Sequence, residues 1–229
     1  MPRLVQAAIE QGMRSILPTK TDARLVLLVL VLISAVPEAL LLGADWGLWG
    51  SARWRREAYE HFAFWIGLLR GWTPNYPFQP AFMFLTYSVF HAGIGHLVVN
   101  MVTLVSVARP ELDRVGAWRF TMLYVGSLLG GAVGFALLSD KLQPMVGASG
   151  ALFGLVGAWV IWDISDTLRA RPGIKVMAYA VLWPVAFLSV LNVVMFWATS
   201  GHLAWETHLG GFIAGAIAAP LLDRRPGPG

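Results

Sequence analysis

Two short boxes hold residues that could do chemistry: Ser149 in Gly147-Ala148-Ser149-Gly150 and His208 in His208-Leu209-Gly210-Gly211, each at the head of an apolar stretch. A hydroxyl and an imidazole brought within roughly 2.6 to 3.2 Å act as nucleophile and general base, the pair on which acyl transfer is built. His96 and Asn100 add two more polar side chains, four positions apart and therefore on one face of a helix. Taken singly, each has a plainer reading. A serine within an apolar helix commonly bonds back to a carbonyl one turn earlier, and a lone histidine can simply bond helix to helix. The four together, at the starts of three apolar segments, carry the information.

The elements that must position them are read from composition. With 57% hydrophobic and 13% charged residues in 229, and a mean hydropathy of +0.63, the chain has the balance of a membrane protein. The formal net charge of +4 does not point to nucleic acid, because the basic residues flank apolar stretches instead of forming one patch. With no cysteine, thiol nucleophiles, disulfides and thiolate metal sites are excluded.

A span needs about 20 largely apolar residues. Segments 25–44, 94–113, 117–138, 149–165, 174–197 and 207–222 can supply them, which predicts an all-α bundle of six transmembrane helices. Residues 1–24 read as a cytoplasmic N-terminal arm that is retained, 25–222 as the membrane domain and 223–229 as a flexible Pro/Gly-rich tail. Twelve of the 17 lysines and arginines fall on the side of the N-terminal arm, so both termini are expected in the cytoplasm. The even-numbered spans then begin at the outer side, which sets His96, Asn100, Ser149 and His208 at similar depth.

The first loop, residues 45–80, is rich in tryptophan and tyrosine beside arginines, which predicts a partly membrane-embedded segment; the plainer alternative is an aromatic belt followed by a linker. Gly150 and Gly154, followed by Gly157 or Ala158, on the fourth span and Gly211, Gly215 and Ala219 on the sixth form small-residue stripes that let two backbones approach closely, as a Ser/His contact requires. Glu38 follows Pro37 in the first span and has no evident partner in the sequence.

The run from His91 through His96 to Asn100, the box around Ser149 and the stretch from His208 to Gly215 resemble the rhomboid family of intramembrane serine proteases, in family order and over about residues 78–222. The resemblance implies that Ser149 is the nucleophile and His208 its base, with no aspartate completing a triad. It implies an oxyanion hole from the Ser149 N–H, His96 and Asn100, and supporting roles for Gly147, Gly150, Phe153 and Gly211. His91 becomes a structural histidine. No metal and no cofactor are expected; the partners are the lipid bilayer and single-span or polytopic membrane-protein substrates, and a bacterial inner membrane is the expected location. Two positions depart from the family pattern. Phe82 and Met83 stand where many members carry a Trp-Arg pair ahead of a threonine, here Thr86, and Phe153 stands where many carry a tyrosine.

A lid at 198–206 and a side gate on the fifth span, kinked at Trp183-Pro184, are expected to admit water and substrate. One alternative is an inactive relative that binds transmembrane helices without cutting them. Another is a transporter using Glu38, His96 and Asn100 as a polar path. Metalloprotease chemistry lacks its His-Glu-x-x-His pattern, and Asp163 and Asp166 lie at the wrong end of the fourth span for an aspartate pair.

Overall fold

The computed structural model describes residues 20–169, 173–198 and 202–223. The expected N-terminal arm (to residue 19), the Thr199-Ser200-Gly201 part of the lid and the tail from residue 224 lie outside the described residues. What is described is helical, with one isolated antiparallel bridge between Phe64 and Met145. The helices are α1 (Lys20–Asp45), α2 (Trp54–Phe62), α3 (Gln79–Thr86), α4 (Ile94–Val115), α5 (Ala117–Leu138), α6 (Ser149–Arg169), α7 (Ile174–Ala198) and α8 (Trp205–Leu222).

Long helices stand where all six apolar stretches were read, with ends shifted: α1 begins at Lys20 and α8 at Trp205. Among the described residues three segments are long and apolar enough to cross a membrane, Asp22–Asp45, Ala117–Leu138 and Ser149–Arg169. In α4 and α8 the polar residues and glycines dilute the hydropathy.

The distribution of polarity is inverted relative to a water-soluble fold. Leu28, Leu32 and Val36 on α1, Val98, Val102 and Val105 on α4, and Ile213, Ile217 and Leu221 on α8 face outward, while Ser34, Glu38, His96, Asn100, Ser127, Ser149, Thr207 and His208 are buried. Apolar side chains outside and polar ones inside are what a hydrocarbon solvent selects, since polar groups there need protein partners.

At the centre is α6, buried from Ser149 through Ala158. It is clasped by α5 and α8, and these three helices make the most extensive contacts in the molecule. Glycines are the reason. A side chain at Gly211 would collide with the carbonyl oxygen of Gly150, one at Gly215 with that of Gly154, and one at Gly157 with that of Phe212. On the other flank Gly130 and Gly134 of α5 meet Ala214 and Gly210 of α8. The stripe continues to Ala219, whose carbonyl accepts a hydrogen bond of 2.9 Å from Trp162 Nε1. Among the described residues, α7 meets α6 less extensively, with a small cluster of Leu191 and Met195 against Phe153.

A single residue, Gly116 at φ +82°, turns the chain from α4 into α5, a conformation that glycine alone adopts at low cost.

Candidate active site

The segment entering α6 is fixed before any side chain is considered. Phe64 and Met145 exchange two backbone hydrogen bonds of 3.0 Å, tying the first loop to this segment, and the Gly147 N–H donates to the Tyr87 carbonyl at 2.9 Å. Tyr87 is itself held by its hydroxyl donating to the Leu128 carbonyl at 2.8 Å. Ser149 then begins the helix, so its N–H is among the first-turn donors without an intrahelical acceptor.

Ser149 Oγ and His208 Nε2 are 2.9 Å apart in a buried contact. The side chains are 59 positions apart in sequence, and the glycine seam between α6 and α8 is what lets them meet. Phe153, one turn along α6 from Ser149, stacks on the imidazole with ring centroids 4.0 Å apart and planes within 5° of parallel.

The other ring nitrogen has a partner that sequence reasoning missed: His208 Nδ1 lies 2.9 Å from Asn192 Oδ1 on α7. Asn192 is the kind of polar residue that commonly bonds its own helix, and it does, with Nδ2 donating to the Leu188 carbonyl at 3.0 Å. Its second contact, to His208, depends on which way α7 faces, and its sequence neighbours do not reveal that.

His96 and Asn100 share one face of α4 and point at Gly147. A Cβ built there would stand 2.8 Å from His96 Nε2 and 3.5 Å from Asn100 Nδ2. Gly147 has φ +122°, so both its conformation and this space require glycine. Among the described residues, His96 Nε2 and Asn100 Nδ2 are buried and have no hydrogen-bond partner. His96 Nδ1 accepts from the Ala92 N–H at 3.3 Å, which puts the ring proton of the neutral imidazole on Nε2. Two polar N–H groups are therefore aimed at one place without an acceptor, a costly arrangement in any interior. A cavity of about 330 Å³ adjoins them, lined by Ser149, His208 and His96 together with Tyr59, Met145, Met195 and Leu203.

The first loop is built around an arginine. Arg55 on α2 makes a two-nitrogen contact with the Glu38 carboxylate at 2.9 and 3.1 Å, bonds Asp45 at 2.7 Å and donates to the His91 carbonyl at 3.0 Å. Tyr59 donates to the same carbonyl at 2.6 Å. Burial opposes the guanidinium's charge, but the bonds to Glu38, Tyr59 and Asp45 outweigh it and hold its pKa above the ordinary value.

This corrects the reading of Glu38 as partnerless: its counter-ion lies 17 positions away in the first loop, where helical spacing gives no hint of it. It also changes the meaning of the departure at Phe82 and Met83. The loop's anchor is Arg55 on α2 instead. His91 is fully buried, with its ring 5.1 Å from that of His96.

On the far side of the cavity, Lys141 ties down the segment ahead of α8, donating to the Leu203 carbonyl at 2.8 Å and pairing with Glu206 at 3.2 Å. Asp166, far from Ser149 at the other end of α6, pairs with Arg114.

A helical bundle with an apolar exterior and buried polar side chains is an integral membrane protein. The Rhomboid domain family matches residues 79–225, more than half of the chain, and the chain belongs to that family. It is 33% identical over 151 residues to the putative rhomboid protease YdcA of Bacillus subtilis, covering 62% of this chain and 69% of that protein. It is 30% identical over 138 residues to the rhomboid protease GluP of the same organism, covering 60% of this chain and 25% of the relative. With RHOMBOID-like protein 1 of Arabidopsis thaliana the identity is 31% over 136 residues, 59% of this chain and 33% of the relative. The matched regions of several such relatives thus span only a quarter to a half of their own length. The family match begins at residue 79 and so leaves α1 and α2 outside it.

Proposed function

We propose that this chain is an intramembrane serine endopeptidase that hydrolyses peptide bonds in or next to transmembrane helices of membrane-protein substrates. The observation that carries the reading is the 2.9 Å Ser149–His208 contact beside two buried N–H donors that have no acceptor among the described residues.

In this mechanism Ser149 Oγ attacks the scissile carbonyl carbon while its proton passes to His208 Nε2. The carbonyl oxygen becomes an oxyanion held by the Ser149 N–H, His96 Nε2–H and Asn100 Nδ2–H. Donors fixed where negative charge develops are commonly the largest single contribution to such catalysis. His208 then gives the proton to the leaving amine, and an acyl-enzyme remains on Ser149. Water entering the cavity repeats the sequence, losing a proton to His208 and releasing the new carboxylate. No metal or cofactor takes part.

All six long helices span the bilayer in this reading, with both termini cytoplasmic and the cavity toward the outer face of a bacterial inner membrane. A peptide bond inside a helix is shielded by its own hydrogen bonds, and unwinding it in lipid is costly. Substrates should therefore carry glycine, proline or small polar residues near the cut, and α7 is the side through which they enter. The test is incubation of the purified protein in lipid vesicles with a single-span model substrate. Cleavage by the wild type that disappears in Ser149→Ala supports the proposal. A wild type that binds the substrate without cutting it establishes the inactive-relative reading instead.

A further inference from the structure

The third partner of the Ser149–His208 pair is supplied by α7, which among the described residues meets Phe153 through a small cluster of Leu191 and Met195. We propose that Asn192 of α7 is a positioning residue that fixes the tautomer and orientation of His208, making the base competent only while α7 is docked against the bundle. This rests on the endopeptidase reading and adds to it a residue and a dependence on α7.

The direction of the Asn192 amide decides the matter. Its Nδ2 donates to the Leu188 carbonyl at 3.0 Å, so its Oδ1 is the atom that faces His208 Nδ1 at 2.9 Å. Rotating the amide by half a turn would set two oxygens against each other at Leu188 and two nitrogens together at His208. An oxygen that can only accept requires a proton on Nδ1, and in a neutral imidazole this leaves the Nε2 lone pair free for the Ser149 hydroxyl. The other tautomer would turn an N–H toward Ser149, and His208 could not take the proton. Phe153 restrains the plane of the ring by stacking, but a stack does not distinguish the two nitrogens. Asn192 does.

The amide stands one turn from Met195, which lines the active-site cavity. The face of α7 that borders the cavity is therefore the face that holds the base. Displacement of α7 would remove the acceptor from Nδ1, while the glycine seam of α6 and α8 would keep Ser149 and His208 adjacent.

The experiment compares wild type, Asn192→Leu and Asn192→Asp in vesicles with two reactions: acylation of Ser149 by a small fluorophosphonate, and cleavage of a single-span substrate. ¹⁵N NMR of histidine-labelled protein reads the tautomer directly. The wild type is expected to show His208 protonated at Nδ1. Asn192→Leu is expected to lose that preference and to slow acylation and kcat together by about 10- to 100-fold, the effect of removing one buried hydrogen-bond partner, with KM little changed. Asn192→Asp keeps the acceptor and should retain activity at high pH. Its carboxylate favours the imidazolium, so the acidic limb of its pH profile moves upward.

Labelling of Asn192→Leu at the wild-type rate would overturn the proposal, as would slowed substrate cleavage with unaltered labelling, which would make Asn192 an entry residue alone. A wild type that neither labels nor cleaves would sink the endopeptidase reading, while the tautomer measurement would still decide the role of Asn192.

Discussion

The α5–α6–α8 core and α7 hold the same imidazole in opposite ways. On one side Ser149 and His208 ride on helices that touch backbone to backbone through Gly150, Gly154, Gly211 and Gly215, contacts that leave no room for adjustment. On the other, α7 reaches the site through a cluster of Phe153, Leu191 and Met195 and one amide. The Ser149–His208 distance is thus set by glycines, where any added carbon separates the helices. The tautomer, in the role proposed for Asn192, is set from a separate helix that shares no glycine seam with α6.

Breaking the seam should have the largest effect. Gly211→Val places a branched side chain against the Gly150 carbonyl, and the resulting helix separation is expected to reduce kcat/KM by about a hundredfold or more while lowering thermal stability, since misplacements near 1 Å cost that much. A vesicle cleavage assay and a thermal melt would read both. Asn100→Ala leaves the seam intact and removes one donor; it should lower kcat by about 10²- to 10³-fold with little change in KM. Phe153→Ala removes the ring that bridges the two regions and is expected to slow Ser149 labelling by roughly tenfold or less, the worth of one aromatic stack. The smallest effect belongs to α7's own packing. Leu191→Ala trims the cluster that docks α7 on Phe153 but leaves Asn192 in place, and should slow labelling by the small fluorophosphonate about threefold or less.

Much of this arrangement was legible in the sequence. Gly150, Gly154, Gly211 and Gly215 could be read as a seam because spacing by four is a property of one helix face. His96 and Asn100 could be paired for the same reason. What could not be read were contacts between elements of unrelated period. Arg55 reaches Glu38 from a surface helix in the first loop, and Asn192 reaches His208 from a helix whose apolar sequence does not reveal its rotation. The last span was read from Thr207, yet the helix begins at Trp205, with Glu206 held by Lys141. The aromatic first loop was read by composition alone; its fold comes from Arg55 and Tyr59 converging on the His91 carbonyl.

The most direct measurement of the central claim is intact-protein and peptide mass spectrometry after exposure to a fluorophosphonate, comparing wild type with His208→Ala. The account predicts one adduct, on Ser149, that forms in the wild type and is almost abolished in His208→Ala. An adduct on another residue, or equal labelling of Ser149 without the histidine, would contradict it.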